Sequence, residues 1–204
     1  ALSSAASDVY KRQRYNMLAN QISPHFLFNS LNSLSMLVRE KSNDKALLYI
    51  DRLADTFRYM LQSGQGELTT LSEELRFTEA YLYLLTIRYE NKLFCDIRIE
   101  DRYRDWKLPV LSLQPLIENA VKHNSISRTK PLRIAIRTDD GTLVVSNPLI
   151  PKIDETTGTG IGLKNLSSRY LLLTSQQVRI IRTDDAFEVI LPLIESPNPI
   201  KSLS

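Results

Sequence analysis

Apolar residues recur three and four positions apart from Leu27 to Val38 and again from Leu47 to Leu61, and the pattern stops at Ser63-Gly64-Gln65-Gly66. At ~100° per residue this spacing gathers each set onto one side of a helix. The first helix is expected from about Ser7 to Glu40, with Leu27, Leu31, Leu34 and Val38 as its core seam and a bend at Pro24. Lys41 to Asn43 supply a turn. Asp44 to Gln62 forms the second helix, with a heptad-like seam of Leu47, Ile50, Ala54, Phe57 and Leu61. So short a turn makes the two helices antiparallel neighbours, and because a lone hairpin buries little, two copies are expected to pair as a four-helix bundle. The chain is therefore expected to be a homodimer.

The Gly64 to Gly66 joint divides the chain into residues 1–66, residues 67–195 and a tail of 196–204. Past the joint the pattern changes. Thr70 and Glu73 form a capping box opening a third helix, with Leu71, Leu75, Leu82, Leu85 and Tyr89 on its buried side. Leu93 to Ile99 reads as a strand and Ser112 to Asn124 as a helix with Pro115 in its first turn. Two β-branched runs, Leu132 to Thr138 and Thr142 to Ser146, flank the hairpin turn Asp139-Asp140-Gly141. Pro148 to Thr157 is a loop, a helix follows Gly162 to about Leu173, and Gln177 to Arg182 and Phe187 to Leu191 make a last hairpin. The fold class is α+β: a helical hairpin followed by an antiparallel or mixed sheet with helices on one face.

Composition narrows the function. A chain of 204 residues, 43% apolar and 24% charged, can bury a real core. The net charge is only +3, and the basic residues are scattered apart from Lys11, Arg12 and Arg14, so no nucleic acid is expected as a partner. The single cysteine, Cys95, permits no internal disulfide and no zinc spacing is present. No run approaches the ~20 apolar residues that span a bilayer, and no signal peptide precedes the helix. The start, Ala-Leu-Ser-Ser without methionine, reads as a cut through a longer protein.

Three stretches carry chemistry. His25 projects roughly 150° from the Leu27 stripe, with Asn29 at i+4 and Asn32 at i+7. Either it is a surface histidine beside a proline, or it is a nucleophile, since a neutral imidazole can attack phosphorus to give a phosphoramidate. On the Ser112 helix, Glu118, Asn119, Lys122 and His123 share one side, opposite Leu113, Leu116, Ile117, Ala120 and Val121. That side is either a plain solvated face or a site for Mg²⁺ and nucleotide phosphates: oxygen ligands for the hard cation, lysine for phosphate charge. Gly158-Thr159-Gly160-Ile161-Gly162 opens a helix whose N–H groups can approach phosphate oxygens. The spacing fits neither G-x-G-x-x-G after a strand nor G-x-x-x-x-G-K-[ST], which disfavours the Rossmann and Walker sites.

Taken together, Gln21 to Asn32, Leu113 to His123 and Gly158 to Asn165 closely resemble bacterial two-component sensor histidine kinases of the LytS-like type, over about Leu18 to Leu193. The resemblance implies His25 as phosphoacceptor on a dimerisation bundle, with Asn29 beside it able to position a water. It implies an ATP-binding α/β sandwich of the kind shared with Hsp90 and DNA gyrase. Asn119 would ligate Mg²⁺, Glu118 would orient the reacting centre, and Lys122 and His123 would contact phosphate. Gly158, Thr159, Gly160, Ile161, Gly162 and Leu163 would form the glycine box after a short lid at Pro148 to Thr157. Asn147 stands where related kinases carry the Asp that accepts from the adenine amino group, and a neutral amide is the weaker acceptor. Implied partners are ATP, a response regulator receiver domain and an upstream sensory or transmembrane region, which makes this the cytoplasmic domain of a membrane sensor. The rival is a non-enzymatic dimeric scaffold with a degenerate nucleotide site.

Overall fold

A computed structural model of the chain describes residues 23–62, 68–150 and 160–196. These fall into two compact units, one within Ala1–Gly64 and one within Gln65–Ser204.

The first unit is a hairpin of α1 (Pro24–Arg39) and α2 (Asn43–Gln62). Ser23 is extended, with ψ of 123°, and Pro24 takes the first helical position. Instead of the expected bend within one helix, α1 begins at Pro24, because proline's ring drives the preceding residue out of the helical region and its own missing N–H costs nothing at a helix start. Residues 7–22 lie outside the described residues. At the other end the Ser42 amide donates to the Leu37 carbonyl and Lys41 to Val38, a Schellman turn with Lys41 left-handed at φ 56°.

The two seams lie elsewhere than the periodicity suggests. On α1 the buried residues are Ser30, Ser33 and Leu37, while Leu27, Leu31 and Val38 are 37%, 46% and 57% exposed. On α2 the buried set is Ala46, Tyr49, Leu53, Thr56 and Met60, one residue before each expected position, and Leu47 is 63% exposed. On α1 the hairpin contact uses the stripe of Ser30, Ser33 and Leu37, and on α2 that of Ala46, Tyr49, Leu53, Thr56 and Met60, while aliphatic side chains of both helices stay outside. Phe26 packs edge-on against Phe57, with ring centroids 6.0 Å apart, joining the start of α1 to the later half of α2.

In the second unit the Thr70 side chain accepts from the Glu73 amide and caps α3 (Leu71–Arg88). A five-stranded sheet runs β2 (Leu93–Arg98), β4 (Leu132–Asp139), β5 (Thr142–Pro148), β7 (Ala186–Pro192), β6 (Arg179–Arg182). Only β2 and β4 are parallel. The three-residue strands β1 (Leu68–Thr70) and β3 (Lys107–Pro109) form a separate antiparallel pair, too short for any periodic signal. Helices α4 (Gln114–His123) and α5 (Ile161–Thr174) complete the unit, an α/β fold in which helices accompany one mixed five-stranded sheet.

The sheet has two unlike faces. Leu132, Ile134, Ile136, Leu143, Val145, Val189 and Leu191 alternate onto one side and are all buried. The opposite side carries Arg133 over the Phe94 ring, Arg98 paired with Asp96, and Arg137 near Glu188. Between β4 and β5, Asp140 and Gly141 have φ of 39° and 74°, the geometry of a type I′ turn. The Gly141 amide donates to the Tyr103 hydroxyl, and a Cβ at Gly141 would lie 3.3 Å from the Trp106 ring. Gly141→Ala is expected to cost about 1–2 kcal/mol, from left-handed strain and this contact. Urea unfolding followed by fluorescence of Trp106, the single tryptophan, measures it; an unchanged midpoint would contradict the account.

Candidate functional site

The site is built on α4, a helix whose start has no cap of its own. Its N-cap is Leu113, which offers no side-chain acceptor. The acceptor comes from α3: Glu74, wholly buried, takes the Leu113 amide on one carboxylate oxygen at 3.0 Å and the Leu111 amide on the other at 2.9 Å. Leu111 is left-handed, φ 55°, which a branched side chain adopts only under constraint. Its carbonyl accepts from Arg169 Nη2 of α5 at 3.0 Å, so both backbone groups of the strained residue are held by side chains. Burial lowers the Arg169 pKa, and the Glu74 charge works against that shift.

Helix α4 therefore sits at a fixed place, and Leu116, Ile117 and Ala120 bury its inner side. Glu118 and Lys122 are exposed and Asn119 and His123 half-buried. One oxygen of Glu118, Oε1, accepts from the Tyr81 hydroxyl at 3.0 Å and from Gln114 Nε2 at 2.9 Å. The Tyr81 pKa is pushed well above the ordinary phenol value, first by burial and then by the Glu118 charge, so the hydroxyl stays a donor.

Both ends of α4 meet other parts of the predicted site. A Cβ built on Gly162 would lie 3.9 Å from Pro115 Cβ, so the start of α5 abuts the start of α4. Gly160 is the left-handed N-cap of α5, φ 62°, with open space where a side chain would be. Ile161 is 56% exposed and Leu163 half-buried. Gly158, Thr159 and residues 151–157 lie outside the described residues. At the far end, Asn124 Nδ2 donates to the Ala120 carbonyl and its Oδ1 accepts from the Ile150 amide, clamping α4 to the chain leaving β5. Asn147, 7% exposed, lies on the helix-covered face of β5 in register with Val145, and its Nδ2 donates to the Pro148 carbonyl at 2.8 Å. Among the described residues no three His, Cys, Asp or Glu side chains gather as a metal cage.

In the hairpin, His25 is exposed on the first turn of α1. Asn29 is half-buried, and its Nδ2 is enclosed without a hydrogen-bond partner among the described residues.

The model of the family described as Histidine kinase matches residues 13–93. The sensor histidine kinase/phosphatase LytS of Staphylococcus aureus, strains Mu50 and N315 alike, is 34% identical over 180 residues, 80% of this chain. The chain belongs to the histidine kinase family. It spans 31% of the length of those LytS relatives. Among solved structures, it is similar to the cytoplasmic segment of histidine kinase QseC, with 15% identity, a TM-score of 0.47 and cover of 75% of this chain and 95% of that one. It is also similar to full-length ShkA in complex with AMPPNP, with 15% identity, a TM-score of 0.44 and cover of 81% of this chain and 40% of that one.

Sequence reasoning missed Glu74, Tyr81, Asn124 and Arg169 in this histidine kinase. Glu74 and Tyr81 sit on a helix that is otherwise mostly buried, and an acid at a core-facing position was the available signal for the first. Glu74→Ala strands two buried amides and is expected to destabilise the second unit by about 3 kcal/mol. Glu74→Gln, which keeps one acceptor, should lose less. Trp106 fluorescence in urea reads both, and a wild-type midpoint for Glu74→Ala would refute the clamp.

Proposed function

We propose that the chain is the kinase core of a two-component sensor, transferring the γ-phosphoryl group of ATP to His25 and then to an aspartate of a response regulator receiver domain. One observation carries this reading. The polar side of α4 is flanked at its start by the glycine that opens α5 and tied at its end to the strand that holds Asn147. Family membership adds to it.

In this reading a nitrogen of the exposed imidazole attacks the γ-phosphorus, the bond to the β–γ bridging oxygen breaks, and ADP departs. The proton on the other ring nitrogen leaves, and we assign Glu118 the role of orienting the reacting centre and receiving it. Lys122, His123 and the amides from Gly158 to Leu163 neutralise phosphate charge. The Asn147 amide, turned by its bond to the Pro148 carbonyl, presents Oδ1 as the acceptor for the adenine amino group. Asn119 would supply one amide oxygen toward Mg²⁺, and the cation would shield the phosphate charge. That donor set suits a cation held mostly by substrate phosphates and water, as magnesium usually is. Asn29, one turn on from His25, is assigned to positioning a water for a phosphatase activity.

The exposed aliphatic stripe of the hairpin supports a homodimer, in which two hairpins close a four-helix bundle over Leu27, Leu31, Leu47 and Ile50. Among the described residues no helix is long and apolar enough to cross a membrane. We place this piece on the cytoplasmic side of a longer sensor, joined upstream to its sensory and membrane region.

Incubation with γ-labelled ATP should give acid-labile, base-stable label on the wild-type chain and none on His25→Gln; equal label on both removes His25 from the reaction. Leu31→Lys with Ile50→Lys should convert the dimer to a monomer by light scattering at micromolar concentration. A dimer that survives both charges would assign assembly to another surface.

A further inference from the structure

Helix α3 touches α4 at a second point besides Glu74. Tyr81, seven residues on and therefore on the same side of α3, reaches Glu118 across the helix pair. We propose that Tyr81 is a positioning residue for the phosphoryl transfer, fixing the Glu118 carboxylate in the orientation the reaction uses. This inference rests on the role given to Glu118 above.

A glutamate on an exposed helix position ordinarily samples several rotamers. Glu118 is exposed yet has one oxygen, Oε1, committed to two donors: the Tyr81 hydroxyl at 3.0 Å and Gln114 Nε2 at 2.9 Å. Two donors converging on one oxygen hold the carboxylate plane and leave Oε2 as the atom turned to the reacting groups. The donors differ in firmness. Gln114 lies one turn back on the same helix and is itself half-buried at the surface. Tyr81 is 2% exposed and its ring stacks on Phe77 with centroids 6.0 Å apart and planes 15° from parallel, so its hydroxyl has no freedom to follow a moving carboxylate. Burial and the adjacent negative charge both keep the phenol protonated, which preserves the donor. Thr78, between Glu74 and Tyr81, is fully buried and returns its hydroxyl to the Glu74 carbonyl, so its own polar group is satisfied inside the helix pair. The helix thus fixes α4 twice: the backbone at its start, and the working side chain one turn in.

Tyr81→Phe removes the hydroxyl and keeps the ring. In the full chain, the maximal rate of His25 labelling at saturating MgATP is expected to fall about tenfold, a part of the ~10²–10⁴ that a positioned acid–base group supplies. The half-saturating ATP concentration should move less than twofold, and the thermal midpoint should stay at the wild-type value. In a Glu118→Ala background, Tyr81→Phe should cause no further loss. Gln114→Leu should slow labelling less than Tyr81→Phe. A wild-type rate for Tyr81→Phe beside a slow Glu118→Ala would overturn the role of Tyr81 alone. So would a loss in ATP affinity with the maximal rate intact, or losses that multiply in the double variant. A wild-type rate for Glu118→Ala would instead overturn the reading of Glu118, and this inference with it.

Discussion

Leu111 is a leucine in a backbone conformation that suits glycine, and the second unit is arranged around keeping it there. The strain is of order 1–2 kcal/mol, and nothing local offsets it. What holds it is a carboxylate from α3 on one side and a guanidinium from α5 on the other. The same carboxylate serves the first turn of α4, so a single buried charge sets the backbone angle, the helix start and the spacing between three helices. Such an acid is costly to bury, and two backbone donors plus a nearby cation offset that cost.

Legibility in the sequence followed the range of the interaction. The Thr70 cap, the Asp140-Gly141 turn and the glycine at the start of α5 are local, and their residue types specify the backbone directly. The polar side of α4 was equally plain, because four chemically distinct side chains interrupt an amphipathic pattern. Across the hairpin the periodicity gave the helices and their antiparallel order but not the inner seam. A helix with two neighbouring apolar stripes satisfies the same spacing rule after a shift of one residue, and only the partner decides between them. Tyr81 and Glu118 are 37 positions apart, and no spacing rule links them. The three-residue strands were hidden for the opposite reason, being too short to show alternation.

The sheet explains why the working residues share one side. Its buried face takes all the large aliphatic residues of β4 and most of those of β5 and β7, while the other carries the arginine and carboxylate contacts around the buried Val144 and Ile190. Asn147 falls on the covered face by alternation with Val145, and it is among the few polar residues buried there. With Asn124 buried at the end of α4 and bonded to Ile150, two asparagine amides bracket the point where the chain leaves the sheet.

The hairpin's inner seam is lean: two serines, an alanine and a threonine stand among Leu37, Tyr49, Leu53 and Met60, while the bulkier aliphatic residues Leu27, Leu31, Leu47, Leu48 and Ile50 lie outside. Most of the water-averse area of these helices is therefore not spent in joining them to each other. In the proposed dimer the cooperative unit of folding is larger than one hairpin, and its melting temperature rises with protein concentration. Dilution of that dimer would unravel the segment that carries His25 while leaving the second unit intact.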